Sequence, residues 1–164
     1  METGVGSLIL ALGSNLGDRE QHLETALRKI EERIGRISSL SALYHTRPVG
    51  FISPHEFVNC VCEVYSSLDI FTVFAITQEI EYEMGRIQKS VDGKYADRLI
   101  DIDLILAGEL ILETPELTIP HPRFHQRDFV LTPLCEIVPE RIHPVMGKTI
   151  RQLKQELGRT EAHP

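Results

Sequence analysis

The sequence predicts a single domain that combines α-helices with β-strands. Short apolar runs typical of strands occur along the chain, together with apolar residues spaced three and four positions apart, as in amphipathic helices. A chain of 164 residues with 42% hydrophobic content can bury one ordinary core. No linker, repeat or low-complexity tract divides it, so residues 1–164 are expected to form one domain, with residues 159–164 as a flexible tail.

Several apolar or alternating runs predict strands, each bounded by turn-forming residues. They are residues 7–12, 37–45, 57–65 and 99–106, with a further short apolar segment at 110–112. The run at 99–106 is the most apolar of these, is too short for a typical helix and is followed by a glycine. It is therefore expected to lie in the core of the sheet.

Helices are predicted between these strands by apolar residues that recur at helical spacing. The predicted helices are residues 18–34, 69–84 and 129–138, and a last helix after Thr149. Asp18 and Gln21 form a capping-box pattern at the start of the first helix, and Gly35 follows its end as a C′ residue. Pro133 is expected in the first turn of the third helix, where a missing N–H costs little.

Charge and cysteine content exclude several classes of protein. The formal net charge of −7 and the pI near 5.5 argue against a general nucleic-acid surface, so any phosphate site must be local. Cys60, Cys62 and Cys135 form neither an even disulfide set nor a zinc spacing, and are expected as thiols in a reducing compartment. The sequence shows no signal peptide or membrane span, so we expect a cytoplasmic protein without a membrane partner.

Two carboxylates inside the most apolar run are the strongest indication of function. Asp101 and Asp103 are two residues apart, so in a strand they share one face, with Cα atoms roughly 6 to 7 Å apart. Half-burying two anions is costly unless a cation, a metal or a shifted pKa compensates. Oxygen ligands favour Mg²⁺, which often binds substrate phosphates as well. A solvated sheet face with exposed carboxylates is the interpretation that this motif alone leaves open.

Other candidate residues are weaker on their own. Asn59 and Phe57 share a strand face and would suit a heterocycle with amide-like edges, although a structural hydrogen bond explains Asn59 equally well. A basic stretch before the Asp-x-Asp strand is either a solvated loop or the partner of a polyphosphate. Its cationic residues are Arg86, Lys89, Lys94 and Arg98.

Two further groups of polar residues come from a helix and a loop. Gln78 and Glu81 share one helix face, where a bare pair of this kind is usually a surface pair. The constrained loop after residue 118 contributes cationic or donor side chains, but single histidines are more often structural than catalytic. These side chains are His121, Arg123, His125 and Arg127.

A series of short motifs extends over nearly the entire chain. In order they are Gly13-Ser14-Asn15-Leu16-Gly17, Thr46-Arg47-Pro48-Val49-Gly50, Phe57-Val58-Asn59, Gly85-Arg86, Arg98-x-x-Asp101-x-Asp103, Pro120-His121 and Arg127-x-Phe129. The combination resembles the 6-hydroxymethyl-7,8-dihydropterin pyrophosphokinase family of folate biosynthesis. The Arg-x-x-Asp-x-Asp strand is its most specific part.

The resemblance implies both a fold and a reaction. The fold would be α+β, a ferredoxin-like three-layer αβα arrangement with a mostly antiparallel central sheet, acting as a monomer. The enzyme would transfer the β,γ-diphosphate of ATP to the hydroxymethyl group of 6-hydroxymethyl-7,8-dihydropterin and release AMP. The cofactor would be two Mg²⁺ ions, with ATP as cosubstrate, and the partners would be small molecules rather than nucleic acid or membrane.

The resemblance also implies roles for individual residues. Asp101 and Asp103 would bind the Mg²⁺ ions and, with Arg86 and Arg98, form the catalytic group. The pterin would contact Thr46, Pro48, Val49, Phe57, Asn59, Tyr95 and Phe129. The ATP would contact Gln78, Glu81, Arg86, Lys94, Arg98, His121 and Arg127. The chain differs from the usual family pattern where Tyr95 replaces a Trp, Asp97 a Pro and Gln88 a frequent Arg.

Two other classes of protein share some of these features. Polymerase and cyclase domains also carry paired Asp residues on an antiparallel sheet and use Mg²⁺ for nucleotidyl or phosphoryl transfer, but the acidic charge of this chain argues against a nucleic-acid substrate. A non-catalytic pterin- or nucleotide-binding module is the second alternative. It would leave the two costly carboxylates without a catalytic use.

Overall fold

An antiparallel sheet with helices on both faces forms the described part of the chain, residues 4–46, 56–85 and 99–162 of a computed structural model. Its strands are β1 Gly6–Ser14, β2 Arg36–Leu40, β3 Tyr44–Thr46, β4 Phe57–Ser66 and β5 Asp101–Ala107. The helices are α1 Arg19–Arg33, α2 Ile70–Glu83, α3 Asp128–Ile137 and α4 Ile150–Ala162. A ribbon of β6 Leu112–Glu113 and β7 Thr118–Ile119 and a 3₁₀ turn at Phe124–Gln126 lie between β5 and α3.

The central strand of the described sheet is β1, which pairs antiparallel with β4 on one side and β5 on the other. Strands β2 and β3 pair with successive parts of β4. The register places Gly13 opposite both Asn59 and Asp101. Ala11 in turn lies opposite Val61 and Asp103. Side chains of these two rows therefore project from the same face of the sheet.

The two faces of the sheet support separate halves of the core. On one face, Leu8, Leu10 and Leu12 are buried in a cluster with apolar residues of α1 and α2. On the other face, Ile9 and Ile105 are buried with apolar residues of α3 and α4. Each fully buried aliphatic side chain contributes about 1.5 to 3 kcal/mol, so both layers stabilise the sheet. The expected arrangement of a mostly antiparallel sheet between two helical layers is confirmed.

The prediction of one strand over residues 37–45 was wrong, because the chain leaves the sheet in the middle of it. Ser41 still pairs with β4, since its N–H donates to the carbonyl of Val61 and its Oγ accepts from the Val61 N–H, each at 2.9 Å. Residues 41–43 thus lie between β2 and β3, and residues 42 and 43 follow this last pairing with β4. The side-chain hydroxyl of Ser41 accepts the hydrogen bond that a backbone carbonyl would accept in a regular strand. The alternation of apolar residues in the sequence does not reveal this irregularity.

Side chains cap the N-termini of α1, α2 and α4, whereas no side chain caps that of α3. Asp18 accepts from the Gln21 N–H at 3.2 Å, as predicted. Thr149 and Gln152 form a reciprocal capping box at 2.8 and 3.1 Å. Gly35 follows α1 but is not among the glycines with positive φ. It is required because a Cβ there would lie 2.0 Å from the carbonyl oxygen of Tyr65.

Two details of the last helices differ from the sequence-based expectations. Pro133 lies inside α3 rather than in its first turn, and the burial of its ring offsets the hydrogen bond that the helix loses there. Helix α4 continues to Ala162, so residues 159–162 of the expected tail are helical. None of the helices in the described ranges has the length and apolarity that crossing a bilayer requires.

Candidate active site

A cleft lies on the sheet face that α3 and α4 cover, beyond the last row that these helices bury. Ile9 is fully buried beneath the helices, whereas Ala11 and Gly13, farther along β1, line the cleft. Their small side chains leave room above the strand. The candidate residues that line this cleft are Thr46, Phe57, Asn59, Asp101, Asp103, Arg127 and Phe129.

Asp101 and Asp103 project from the same face of β5 and are both partly exposed. At the rise of a β-strand their Cα atoms are roughly 6 to 7 Å apart, so oxygens of both can approach one ion or two adjacent ions. Among the described residues, no group of three or more His, Cys, Asp or Glu side chains has an arrangement that could hold a metal ion by itself. Two carboxylates facing small residues fit Mg²⁺, whose coordination shell is normally completed by water and phosphate oxygens.

Asn59 is held in the cleft by its neighbours. Its Nδ2 donates to Oγ1 of Thr46 at 2.6 Å. A Cβ on Gly13 would lie 2.8 Å from Oδ1 of Asn59, so the glycine leaves the space that the amide occupies. The sequence left open whether Asn59 makes a structural hydrogen bond or faces a bound heterocycle. In the structure it makes such a hydrogen bond, and it also lines the cleft. The role of Gly13 was missed, although a glycine inside a strand often marks a close approach.

Aromatic surfaces reach the cleft from two separated parts of the chain. Phe57 begins β4, and Phe129 lies in the first turn of α3. The guanidinium carbon of Arg127 is 5.7 Å from the centroid of the Phe129 ring, within the range of a cation–π contact. A flat, partly polar ring would find stacking surfaces here, with an amide at its edge.

His121 is held close to the carboxylates by its backbone. Its N–H donates to the carbonyl of Ile105 at 2.9 Å, and its Nδ1 accepts from the Arg123 N–H at 3.1 Å. Burial, and next the charge of Arg127, lower the pKa of His121 to about 4, while the charge of Asp101 opposes the shift. The imidazole is therefore neutral at pH 7, and since Nδ1 is an acceptor, Nε2 carries the proton.

A second cavity, of about 270 Å³, adjoins the outer side of β5. Asp103 lines both this cavity and the cleft described above. Phe74 of α2 and Ile102 contribute apolar surface, and His121 borders the same space. Asp103 therefore borders both cavities, and the neutral imidazole of His121 borders the second one.

Glu81 is buried, so the prediction that it belongs to a surface pair was wrong. Its Oε2 accepts from the N–H of Ile102 at 2.9 Å. Strand β5 is an edge of the described sheet, and this N–H lies on the side away from β1. Glu81 therefore supports the strand at the residue between the two aspartates. Gln78, one turn earlier in α2, is exposed.

Several candidate residues lie outside the described residues, and their roles stay predictions. They are Pro48 and Val49 of the expected pterin loop, and Arg86, Lys94, Tyr95 and Arg98 of the expected catalytic loop. Residue 99 resumes the described chain directly before β5.

Comparison with known proteins adds an independent line of evidence. The family model described as 7,8-dihydro-6-hydroxymethylpterin-pyrophosphokinase (HPPK) matches residues 9–139. A 2-amino-4-hydroxy-6-hydroxymethyldihydropteridine pyrophosphokinase of Porphyromonas gingivalis is 48% identical over 136 residues, covering 82% of this chain and 92% of that protein. The enzyme of the same name from Bacillus subtilis is 38% identical over 129 residues, covering 78% of this chain and 75% of that protein.

Solved structures support the fold. A Plasmodium falciparum HPPK-DHPS structure with pteroate has a TM-score of 0.77 and 18% sequence identity over 96% of this chain. The present chain spans less than half of that protein's length, 43%. This similarity confirms the ferredoxin-like α+β fold. The enzyme class follows from the match to the family model and from the sequence identity over most of the P. gingivalis protein. The chain therefore belongs to the 7,8-dihydro-6-hydroxymethylpterin pyrophosphokinase family of enzymes.

Proposed function

We propose that the protein transfers the β,γ-diphosphate of ATP to the hydroxymethyl group of 6-hydroxymethyl-7,8-dihydropterin. The hydroxyl oxygen bonds to the β-phosphorus, the bond from that phosphorus to the α,β-bridging oxygen breaks, and AMP leaves with that oxygen while a proton is released. One observation carries the proposal: Asp101 and Asp103 line the same cleft as Asn59 and two phenylalanine rings. Family membership supports the same substrates.

The pterin is proposed to lie against Phe57 and Phe129, with its polar edge at Asn59. Stacking suits the flat heterocycle, and an amide can both donate to and accept from groups like those at a pterin edge. The hydrogen bond from Asn59 to Thr46 fixes the amide before the substrate arrives. Pro48, Val49 and Tyr95 complete the proposed pocket, on the basis of family position.

The ATP is proposed to extend from the cavity beside β5 toward Asp103, which lines both this cavity and the cleft. His121 is neutral and can donate its Nε2 proton to a phosphate oxygen without repelling a cation nearby. Arg127 contributes positive charge from the other wall of the cleft. Arg86, Lys94, Arg98, Gln78 and Glu81 remain proposed ATP contacts from the family resemblance, and Glu81 also supports β5 through Ile102.

Catalysis here depends on alignment and charge compensation. A primary alcohol is a weak nucleophile, and a polyphosphate repels it, so the acceptor hydroxyl must be held in line with the bond that breaks. Two Mg²⁺ ions held by Asp101 and Asp103 would neutralise phosphate charge and orient its oxygens. The rigid strand beneath the two aspartates, supported at Ile102 by Glu81, keeps both carboxylates on the reacting side.

The proposed enzyme acts as a monomer in a reducing compartment, the cytoplasm. All three cysteines are free, and Cys60 and Cys62 are buried in β4. Burial raises the pKa of Cys60 to about 12, so this thiol is unreactive at neutral pH. Sedimentation velocity tests the oligomeric state, and a dimer at enzyme-assay concentrations would contradict this part of the proposal.

The reaction is tested by incubating the protein with ATP, Mg²⁺ and 6-hydroxymethyl-7,8-dihydropterin and separating the products by chromatography. AMP and a diphosphorylated pterin in equal amounts support the proposal. ADP with a monophosphorylated pterin would indicate ordinary kinase chemistry. Binding without consumption of ATP would indicate a non-catalytic module, and each of these two results would contradict the proposed reaction.

A further inference from the structure

The chain between β2 and β3 is held by a side chain from a distant helix. After Ser41, which pairs with Val61 of β4, the Ala42 N–H donates to both carboxylate oxygens of Glu136, at 3.0 and 3.3 Å. Glu136 is exposed and lies near the end of α3. The carboxylate thus accepts from a backbone group at the point where the chain turns away from β4.

The same carboxylate also holds the beginning of the next strand. The Tyr44 hydroxyl donates to Oε1 of Glu136, across 92 residues of sequence. Tyr44 is the first residue of β3, and Ala42 lies two residues before it. Glu136 therefore contacts both ends of the short connection that leads into β3. Leu43, between these two contacts, is exposed and adds little burial of its own.

Strand β3 depends on such support because it is only three residues long. Its residues pair with the first three residues of β4, ending with Thr46 opposite Phe57. A pairing this short has little stability of its own. Yet Thr46 is the residue whose hydroxyl accepts from Asn59 in the cleft. The position of the Asn59 amide is therefore linked to whatever keeps β3 in place.

Helix α3 contributes to the cleft at its opposite end. Phe129 and Val130 line the cleft from the first turn, and Glu136 lies about two turns further along the helix. A contact from Glu136 to Ala42 and Tyr44 thus connects the helix that carries one aromatic wall to the strand that carries Thr46.

We propose that Glu136 is a positioning residue for the pterin half of the active site. It lies outside the cleft and acts through Tyr44 and β3 on Thr46 and Asn59. The inference rests on the proposed function, because it takes the bound heterocycle to be a pterin. It assigns no role to Glu136 in ATP binding, so the two substrates are affected differently.

Steady-state kinetics of Glu136→Ala test this role. We expect the KM for the pterin to rise about five- to tenfold, the change that one or two net hydrogen bonds produce, while the KM for ATP stays within about twofold. Glu136→Gln keeps an acceptor oxygen and should restore most of the loss. Tyr44→Phe removes one donor and should raise the pterin KM by about two- to threefold.

Glu140→Ala is the matched control. Glu140 is an exposed carboxylate just after α3 that pairs with Arg151 at 2.6 Å, and its loss should change neither KM. Equal increases in both KM values for Glu136→Ala, no increase at all, or no rescue by glutamine would overturn the positioning role.

Amide hydrogen exchange separates this inference from the proposed reaction. In the substrate-free protein, Glu136→Ala should accelerate exchange of residues 42–46 but leave that of the β4 centre, residues 60–64, unchanged. Exchange unchanged at 42–46 would overturn the positioning role even if the wild type forms AMP. If the wild type forms no AMP, the proposed function fails, and accelerated exchange would still support the link from Glu136 to β3.

Discussion

One face of the sheet has two ends that use the same strands differently. At its covered end, Ile9 and Ile105 are buried under α3 and α4, and Val61 is buried at the boundary between the two ends. At its open end, Gly13, Asn59 and Asp101 form one row across the sheet, and Ala11 and Asp103 lie in the next. On this face, β1, β4 and β5 each change from an aliphatic to a small or polar side chain within two residues. The pairs are Ile9 and Ala11, Val61 and Asn59, and Ile105 and Asp103.

The difference shows how a folded core supports a polar site without placing polar groups inside it. The covered end supplies apolar burial, which holds the three strands in register. The open end then presents carboxylates and an amide from a backbone that is already fixed. We therefore expect changes at the open end to affect catalysis and changes at the covered end to affect stability.

The largest effect is expected at the open end, from Asp103→Ala. Loss of a proposed metal ligand that lines both cavities should lower kcat by about a thousandfold or more, while pterin affinity changes little. Turnover assays and pterin titration measure the two effects. Glu113→Ala, an exposed carboxylate in β6, is the control. Equal losses in turnover and pterin binding would contradict the metal-centred role.

At the covered end, Ile9→Ala should lower the free energy of unfolding by about 2 to 5 kcal/mol, because Ile9 is fully buried and a cavity remains. Denaturant unfolding gives this value. At temperatures well below the unfolding transition, kcat and both KM values should stay near those of the wild type. A large fall in kcat of the folded variant would show that the two ends cannot be separated.

Gly13→Ala sharpens the comparison at the boundary between the ends. The added Cβ would lie 2.8 Å from Oδ1 of Asn59, so the amide that donates to Thr46 must shift from its present position. We expect the pterin KM to rise about tenfold. Gly158→Ala in α4 is the matched control, because nothing lies within 4 Å of a Cβ there, and it should add up to about 1 kcal/mol of stability. A normal pterin KM in Gly13→Ala would show that Asn59 needs no fixed position.

The smallest effect concerns pH and involves His143, which packs behind the covered end. Its ring stacks on Phe124 at 5.3 Å, and its Nδ1 accepts from the Val145 and Met146 N–H groups at 3.1 Å. Burial, and next the charge of His125, lower the pKa of His143. The unfolded chain therefore binds this proton at a higher pH than the folded one. The free energy of unfolding should fall as pH drops below about 6.5, the unperturbed value.

His143→Asn tests that pH dependence. The Asn oxygen can replace Nδ1 as acceptor but does not titrate, so the variant should lose less stability than the wild type between pH 7 and pH 5. Parallel denaturant titrations at several pH values measure the difference, which should stay below about 1.4 kcal/mol per pH unit. Identical slopes in the two proteins would assign the pH dependence to other groups.

Much of the fold could be predicted from local patterns. Alternation placed Asp101 and Asp103 on one strand face, and the capping pattern at Asp18 located the start of α1. The break between β2 and β3 and the burial of Glu81 could not be predicted in this way. In both cases a side chain completes the hydrogen bonding of a backbone group on another element.

The sequence by itself determined the strand and helix periods, the pairing of two carboxylates on one face and the family resemblance, because each is visible within a few residues or as an ordered set of motifs. Only the tertiary structure decided that Glu81 supports Ile102, that Gly13 makes room for Asn59 and that Glu136 holds the entry to β3. Each of these contacts joins residues far apart in the chain. Their distance depends on sheet register and helix packing, which the whole core sets together.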